Sequence, residues 1–188
     1  MKIDVYPKTS FGAKFISTAS VKKIASNLDE YVPVKSSFIE IDSNNLNDVK
    51  AVSNIAKYWE NEKYASNIDY VVQTLNKTGN DGRTKVFAIS SQENGLEKLD
   101  DEKILGITEI EKLTNGLNVM YLQVKPDYIY KQPRVYKHIG TEILNCLKNY
   151  YEEPITLNSE RSFAVRKFYE NNGFKLVDKE TLRYQWLP

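Results

Sequence analysis

The chain has 188 residues, 41% hydrophobic and 27% charged, with a net charge of +1. That length suits one compact domain, alone or with an appendage, and the charge balance gives no basis for binding nucleic acid or a membrane surface. No run is long and apolar enough to span a bilayer, the first twenty residues hold no apolar core of a secretory signal, and Cys146, the single cysteine, has no internal disulfide partner, which predicts a reducing, cytoplasmic setting.

In chain order, residues 1–35 read as an N-terminal extension. "KIDVY" forms a short strand and "ASVKKIASNLDEY" a helix with Ser20 as its N-cap. Pro33 then breaks the chain before "SSFIEID", whose apolar and polar residues alternate as in a strand. Asn45 caps the next segment, "LNDVKAVSNIAKYWENEKYA", where Leu46, Val49, Ile55, Ala56 and Trp59 make an apolar stripe at helical spacing. A second helix, "NIDYVVQTLNKT", ends at the turn "GNDG". Three runs rich in β-branched and aromatic residues follow, "TKVFAIS", "KILGITEIE" and "LNVMYLQV", the last two joined by the hairpin turn "TNG". After an irregular stretch comes a long helix with Ile139, Ile143, Leu147 and Tyr150 on one face. Then come the strand "PITLNS", the helix "RSFAVRKFYENNG" and the strands "FKLVD" and "LRYQWL".

From residue 36 the order is β, α, α, β, β, β, α, β, α, β, β. The crossover from "LNVMYLQV" to "PITLNS" makes that pair parallel and right-handed. The predicted architecture is α/β, a mixed and mostly antiparallel sheet with helices on both faces.

The chemistry concentrates where "LQVKP" leads into the helix beginning near Tyr136. Strand-before-helix aims the helix's unpaired N–H groups and its positive dipole end at one place, a natural phosphate site. Gly140 lets a ligand approach the backbone. Arg134 and Lys137 add charge-assisted contacts. His138, the only histidine, is a catalytic candidate by titration range alone. An ordinary amphipathic helix with a small residue in its first turn accounts for the same stretch.

Three segments in this order, "YLQVKP", "YKHIGTEIL" and "SFAVRKFYENNGF", with "ILG" opening the preceding strand, resemble the GNAT superfamily of acyl-CoA-dependent N-acetyltransferases. In that family a strand L-x-V-x-P leads into a pyrophosphate loop (Q/R)-x-x-G-x-(G/A), and a later helix carries A-x-x-x-Y-x-x-x-G-F. The resemblance covers about residues 36–188. It departs from the pattern at His138, which stands where the family has its first loop glycine, and at Val135, which replaces Arg/Gln beside Arg134. The loop is also longer than usual, and Ser162 stands where Asn is common.

The resemblance implies an N-acetyltransferase that takes acetyl-CoA as acyl donor and moves the acetyl group directly to an amine acceptor. It implies that the backbone of Leu122, Gln123 and Val124 pairs with the pantetheine arm. Arg134, Tyr136, Lys137, His138, Ile139, Gly140 and Thr141 surround the pyrophosphate through backbone N–H groups, and Ser162 takes the Asn position. Tyr169 corresponds to the tyrosine that protonates the departing thiolate; an amphipathic-helix tyrosine beside Phe168 is the plainer reading. Glu109 and Glu111, on one face of their strand, are either the general base or solvated carboxylates. Tyr121 and Tyr128 are placed along the acceptor site without ranking. No His/Cys cluster has metal-ligand spacing, so no metal site is expected. Cys146 reads as a buried inert thiol. Residues 1–35 are either an added strand and helix or a homodimer contact. A non-catalytic GNAT-fold protein that binds acyl-CoA or a protein partner is the competing reading.

Overall fold

The computed structural model describes residues 12–26, 30–59, 63–79 and 82–188. Its framework is one sheet of nine strands: β1 (Lys14–Ile24), β2 (Tyr31–Glu40), β3 (Thr84–Ser90), β4 (Ile104–Leu113), β5 (Gly116–Val124), β6 (Tyr136–Lys137), β7 (Ile155–Asn158), β8 (Lys175–Asp178) and β9 (Arg183–Trp186). They lie in the order β6-β1-β2-β3-β4-β5-β7-β9-β8. Every pairing is antiparallel except β5 with β7, which is parallel as the crossover requires. The helices are α1 (Leu46–Tyr58), α2 (Lys63–Thr78), α3 (Asp127–Tyr130), α4 (Ile139–Tyr151) and α5 (Phe163–Asn171).

Strand alternation sorts the core into two layers. Val86 and Ala88 of β3 point to one face, with Ile39, Ile104 and Ile107 and the inward side of α1 and α2. Phe87 and Ile89 point to the other, with Ile143, Leu144 and Leu147 of α4. Both faces are covered, so the central strands are apolar on both sides. Each such fully buried aliphatic side chain contributes about 1.5–3 kcal/mol.

Asn45 caps α1 as its position predicts, accepting from the Asn47 and Asp48 amides. The two helices expected over 46–65 and 67–78 are present with their boundary earlier: α1 ends at Tyr58 with Trp59 buried at its C-cap, and α2 begins at Lys63. The segment before residue 36 differs more. "ASVKKIASNLDEY" is not a helix: its first residues belong to β1, where Ala19 and Val21 are buried at period two. Pro33 does not break the chain but sits within β2, opposite Lys22, in the part of that strand that has β1 as its partner and no register with β3. A strand with one unpaired side tolerates proline's missing N–H. "KIDVY" lies outside the described residues. The long irregular loop after β5 contains α3 and the two-residue β6, neither marked by periodicity.

Candidate active site

β5 and β7 pair only from Leu117 to Val119, opposite Ile155 to Leu157. Beyond that point they part. The register between β4 and β5 also shifts there, with Glu109 opposite Tyr121 and Ile110 opposite Val119, so Met120 is an extra residue on β5. From Tyr121 to Val124, β5 is bonded on its β4 side alone. The Lys125 amide donates to the Leu105 carbonyl of β4 at 2.9 Å. Alternation therefore turns the backbone groups of Leu122 and Val124 toward the gap and those of Gln123 toward β4. Gln123 contributes its side chain instead, whose amide nitrogen donates to the Val124 carbonyl at 3.0 Å. The Val124 and Leu122 N–H groups are the ladder donors left facing the opening.

The opening is a cavity of about 620 Å³, within the usual range for ligand pockets of about 300–1,000 Å³. One end is built by the loop before α4 and by the first turn of α4, with Arg134, Tyr136, Lys137, His138, Ile139, Gly140 and Thr141 in its wall. His138 is the N-cap of α4 with φ +64° and ψ +13°. That left-handed conformation is the one glycine adopts freely, so His138 occupies a glycine-type position. No side chain caps this helix end, and its first N–H groups have no intrahelical partner. Gly140 has a different reason to be small than the one its position predicts: a Cβ there would lie 3.1 Å from the Phe168 ring, so its absence lets α4 meet α5. The Arg134 Nε is buried with no hydrogen-bond partner.

β1 and β2 hold this loop in place. Lys22 and Lys23 pair with Lys137 and Tyr136, and the Ile24 amide donates to the Val135 carbonyl at 2.9 Å. The Tyr31 hydroxyl donates to the Arg134 carbonyl at 2.6 Å, and the Lys137 ammonium lies 3.6 Å from the Tyr31 ring centre. The Ser20 amide donates to Glu142 in the first turn of α4 at 2.8 Å.

Tyr169 lines the cavity from α5, its ring against Phe168, Phe174 and Tyr184. Burial, and secondly Glu160, push its hydroxyl up to about 12, so it keeps its proton at neutral pH. Ser162 is the N-cap of α5, makes no capping bond and does not line the cavity. Tyr121 and Tyr128 both line it.

Glu109 and Glu111 are absent from the cavity wall. Glu109 lies on the α1–α2 face, next to Val86 and opposite Tyr121 in register. It is buried, its Oε2 has no partner, and burial followed by the nearby Glu111 raises its carboxyl to about 7. Glu111 is half-buried two residues nearer the hairpin, opposite Asn118. Cys146 is buried, and burial lifts its thiol to about 11, as expected of an inert cysteine.

Several residues of the cavity wall were not among the candidates from the sequence. Tyr64 of α2 and Glu160 of the loop after β7 both line it, and the Tyr64 hydroxyl donates to Glu160 Oε1. They are 96 residues apart, and neither belongs to a periodic or motif-like pattern. Among the described residues no group of His, Cys, Asp and Glu could hold a metal ion, and no helix is long and apolar enough to cross a membrane.

No protein-family model matches the sequence, and no curated protein does. Solved structures match the fold. The acetyltransferase of Salmonella typhimurium that modifies the N-terminal serine of ribosomal protein L7/L12 aligns with a TM-score of 0.52 at 12% identity, over 81% of this chain and 95% of that one. The PaiA N-acetyltransferase of Thermoplasma acidophilum, in complex with coenzyme A, gives 0.50 at 16% identity, over 81% and 97%. A GNAT-family protein from Desulfovibrio desulfuricans gives 0.50 at 10%, over 91% and 99%. At these identities the likeness is one of fold: the chain has the GNAT fold.

Proposed function

We propose that this GNAT-fold chain is an N-acetyltransferase that moves an acetyl group from acetyl-CoA directly to an amine. The observation that carries the reading is the splay of β5 from β7, with the bare N-terminus of α4 at its open end and Tyr169 beside it. Acetyl-CoA, as the donor substrate, supplies the activated thioester. The protein's groups fit its chemistry in three places. The first-turn N–H groups of α4 and the unpartnered Arg134 Nε suit a diphosphate. The free N–H groups of Leu122 and Val124 suit the amides of an extended arm and, nearer the reacting carbon, a developing oxyanion. Tyr169, protonated at neutral pH, holds the proton that a departing thiolate needs.

The acceptor amine must lose a proton before it attacks. Glu109, with its carboxyl raised to about 7, has the affinity for that proton, and since it stands outside the cavity wall the transfer runs through water. Glu111 lies on β4 opposite Asn118, in the doubly paired part of β5, and is not in the cavity wall. His138 acts through its backbone conformation, and Ser162, outside the wall, contributes nothing to binding.

The absence of a carboxylate from the cavity wall beside Tyr169, other than Glu160, favours one second reading: an acyl-CoA-binding module that does not transfer. Calorimetry with CoA and acetyl-CoA, followed by thiol release across an amine panel, tests both. Binding with turnover supports the enzyme, binding without turnover on any amine supports the module, and no binding of either ligand overturns both.

A further inference from the structure

The cavity is charged oppositely at its two ends. Arg134 and Lys137 stand at the open end of the splay, by the N-terminus of α4. At the other end, where the pairing of β5 with β7 stops at Val119 and Leu157, the wall is made by Tyr64, Tyr121, Asn158, Glu160 and Tyr169. Glu160 is the only carboxylate among the described lining residues, and neither Lys63 nor Arg161, the basic neighbours of Tyr64 and Glu160 in sequence, lines the cavity. The Tyr64 and Tyr121 rings stack with centres 5.3 Å apart and planes 28° off parallel. The Tyr64 hydroxyl donates to Glu160 Oε1, which fixes the carboxylate at the edge of this stack.

We infer that Tyr64, Tyr121 and Glu160 form the acceptor subsite and select a cationic primary amine that carries no carboxylate beside its nitrogen. The inference rests on the transferase reading of the cavity and gives it a substrate class. A carboxylate attracts an ammonium and accepts its N–H bonds, while the faces of tyrosine rings attract the same charge. The ammonium is the form in which an alkylamine arrives at neutral pH. A zwitterionic amino acid brings a second carboxylate against Glu160, and that repulsion rejects it. The position is suited to reaction, since the subsite lies where the doubly paired part of β5 ends, next to Tyr169. It also separates two tasks: Glu160 is a positioning residue that binds the ammonium, while the proton itself leaves toward Glu109. An alkylammonium on a small molecule and a lysine side chain on a protein share this chemistry.

The test uses binding, so it does not depend on turnover. The protein is titrated with n-butylammonium, with Nα-acetyl-lysine amide and with butyrate, each with and without saturating CoA. The expected result is that both ammonium probes bind, butyrate does not, and Glu160→Gln weakens the ammonium probes by about tenfold or more with CoA affinity unchanged. Tyr64→Phe, which keeps the ring stack and loses only the hydroxyl, weakens them by about two- to threefold. Stronger binding of n-butylammonium assigns the subsite to small amines, and stronger binding of the lysine amide assigns it to protein side chains. Ammonium binding that is equal in wild type and Glu160→Gln overturns the inference, as does butyrate binding as well as the amines. Failure of CoA to bind while the ammonium probes still depend on Glu160 overturns the transferase reading and leaves the cation site standing.

Discussion

The two halves of β5 make opposite use of the same backbone. From Leu117 to Val119 the strand is bonded to β4 on one side and β7 on the other. From Tyr121 to Val124 it is bonded to β4 alone, and the second set of N–H and C=O groups faces a cavity. The first half is ordinary sheet interior. The second half leaves the Leu122 and Val124 N–H groups without a ladder partner next to apolar walls, an arrangement that disfavours the empty state relative to one in which a ligand pairs with them. The site is thus the place where a strand pairing stops early.

The largest effect is expected at Tyr169, which lines the cavity. Tyr169→Phe is expected to lower kcat by about two to four powers of ten while CoA affinity, measured by calorimetry, stays within about twofold of wild type. Turnover at the wild-type rate would remove the thiolate-acid role.

Proline placed in each half separates them directly. Val119→Pro deletes a ladder bond in the doubly paired half and is expected to cost about 3 kcal/mol or more, read as a fall in the urea midpoint. Val124→Pro removes an N–H that faces the cavity. It should leave the urea midpoint nearly unchanged and weaken CoA binding by about tenfold. Equal destabilisation by both would show that β5 is paired throughout.

Glu109 borders the open half. Its native carboxyl is raised from 4.5 to about 7, so the folded state holds the proton more tightly than the unfolded chain. The stability this contributes is complete below pH 4.5 and is lost as pH rises through about 7, a change on the order of 3 kcal/mol. Glu109→Gln should flatten the fall in urea midpoint between pH 5 and pH 8. Asp48, raised to about 6 mainly by burial, adds a slope of the same sign that remains in the variant. The same substitution should remove the rise in kcat/KM through pH 7 that a neutral-range base produces. A wild-type pH–rate profile in Glu109→Gln would exclude it as the base.

The smallest effect is at His138. An L-residue in the left-handed region is strained by about 1–2 kcal/mol, so His138→Gly, set against glycine's larger unfolded-state entropy, should raise stability by no more than about 1 kcal/mol and keep turnover. His138→Val should lower stability by about as much. Loss of turnover in His138→Gly with CoA binding intact would return the imidazole to the mechanism.

Apart from α3 and β6, the element order from residue 36 onward was legible because burial on both faces writes long apolar runs with clear punctuation, such as "TNG" between β4 and β5. The part of the cavity wall before and in the first turn of α4 was legible because its residues are contiguous. β1 was not: it buries only Ala19 and Val21 in alternation, and Val21, Ile24, Ala25 and Leu28 happen to fall at helical spacing. The boundary at residue 36 is crossed by a continuous β2. The Tyr64–Glu160 pair was invisible for a different reason. It depends on two elements meeting across the sheet, and a single carboxylate in an exposed loop has no periodicity to give it away. For Glu109 the sequence showed its face of the strand but not its burial, which follows from what α1 and α2 cover.

The β1–β2 hairpin has a consequence for affinity although it presents no residue to the cavity. By pairing with Tyr136 and Lys137 as an extra edge strand and bonding the Val135 carbonyl, it holds the loop before α4 in place when the protein folds, before any ligand arrives. A loose loop would surrender that freedom at each binding event and weaken the complex accordingly. The N-terminal hairpin therefore acts as a splint, and changes to it that leave every lining residue untouched should be felt as changes in how long the ligand stays.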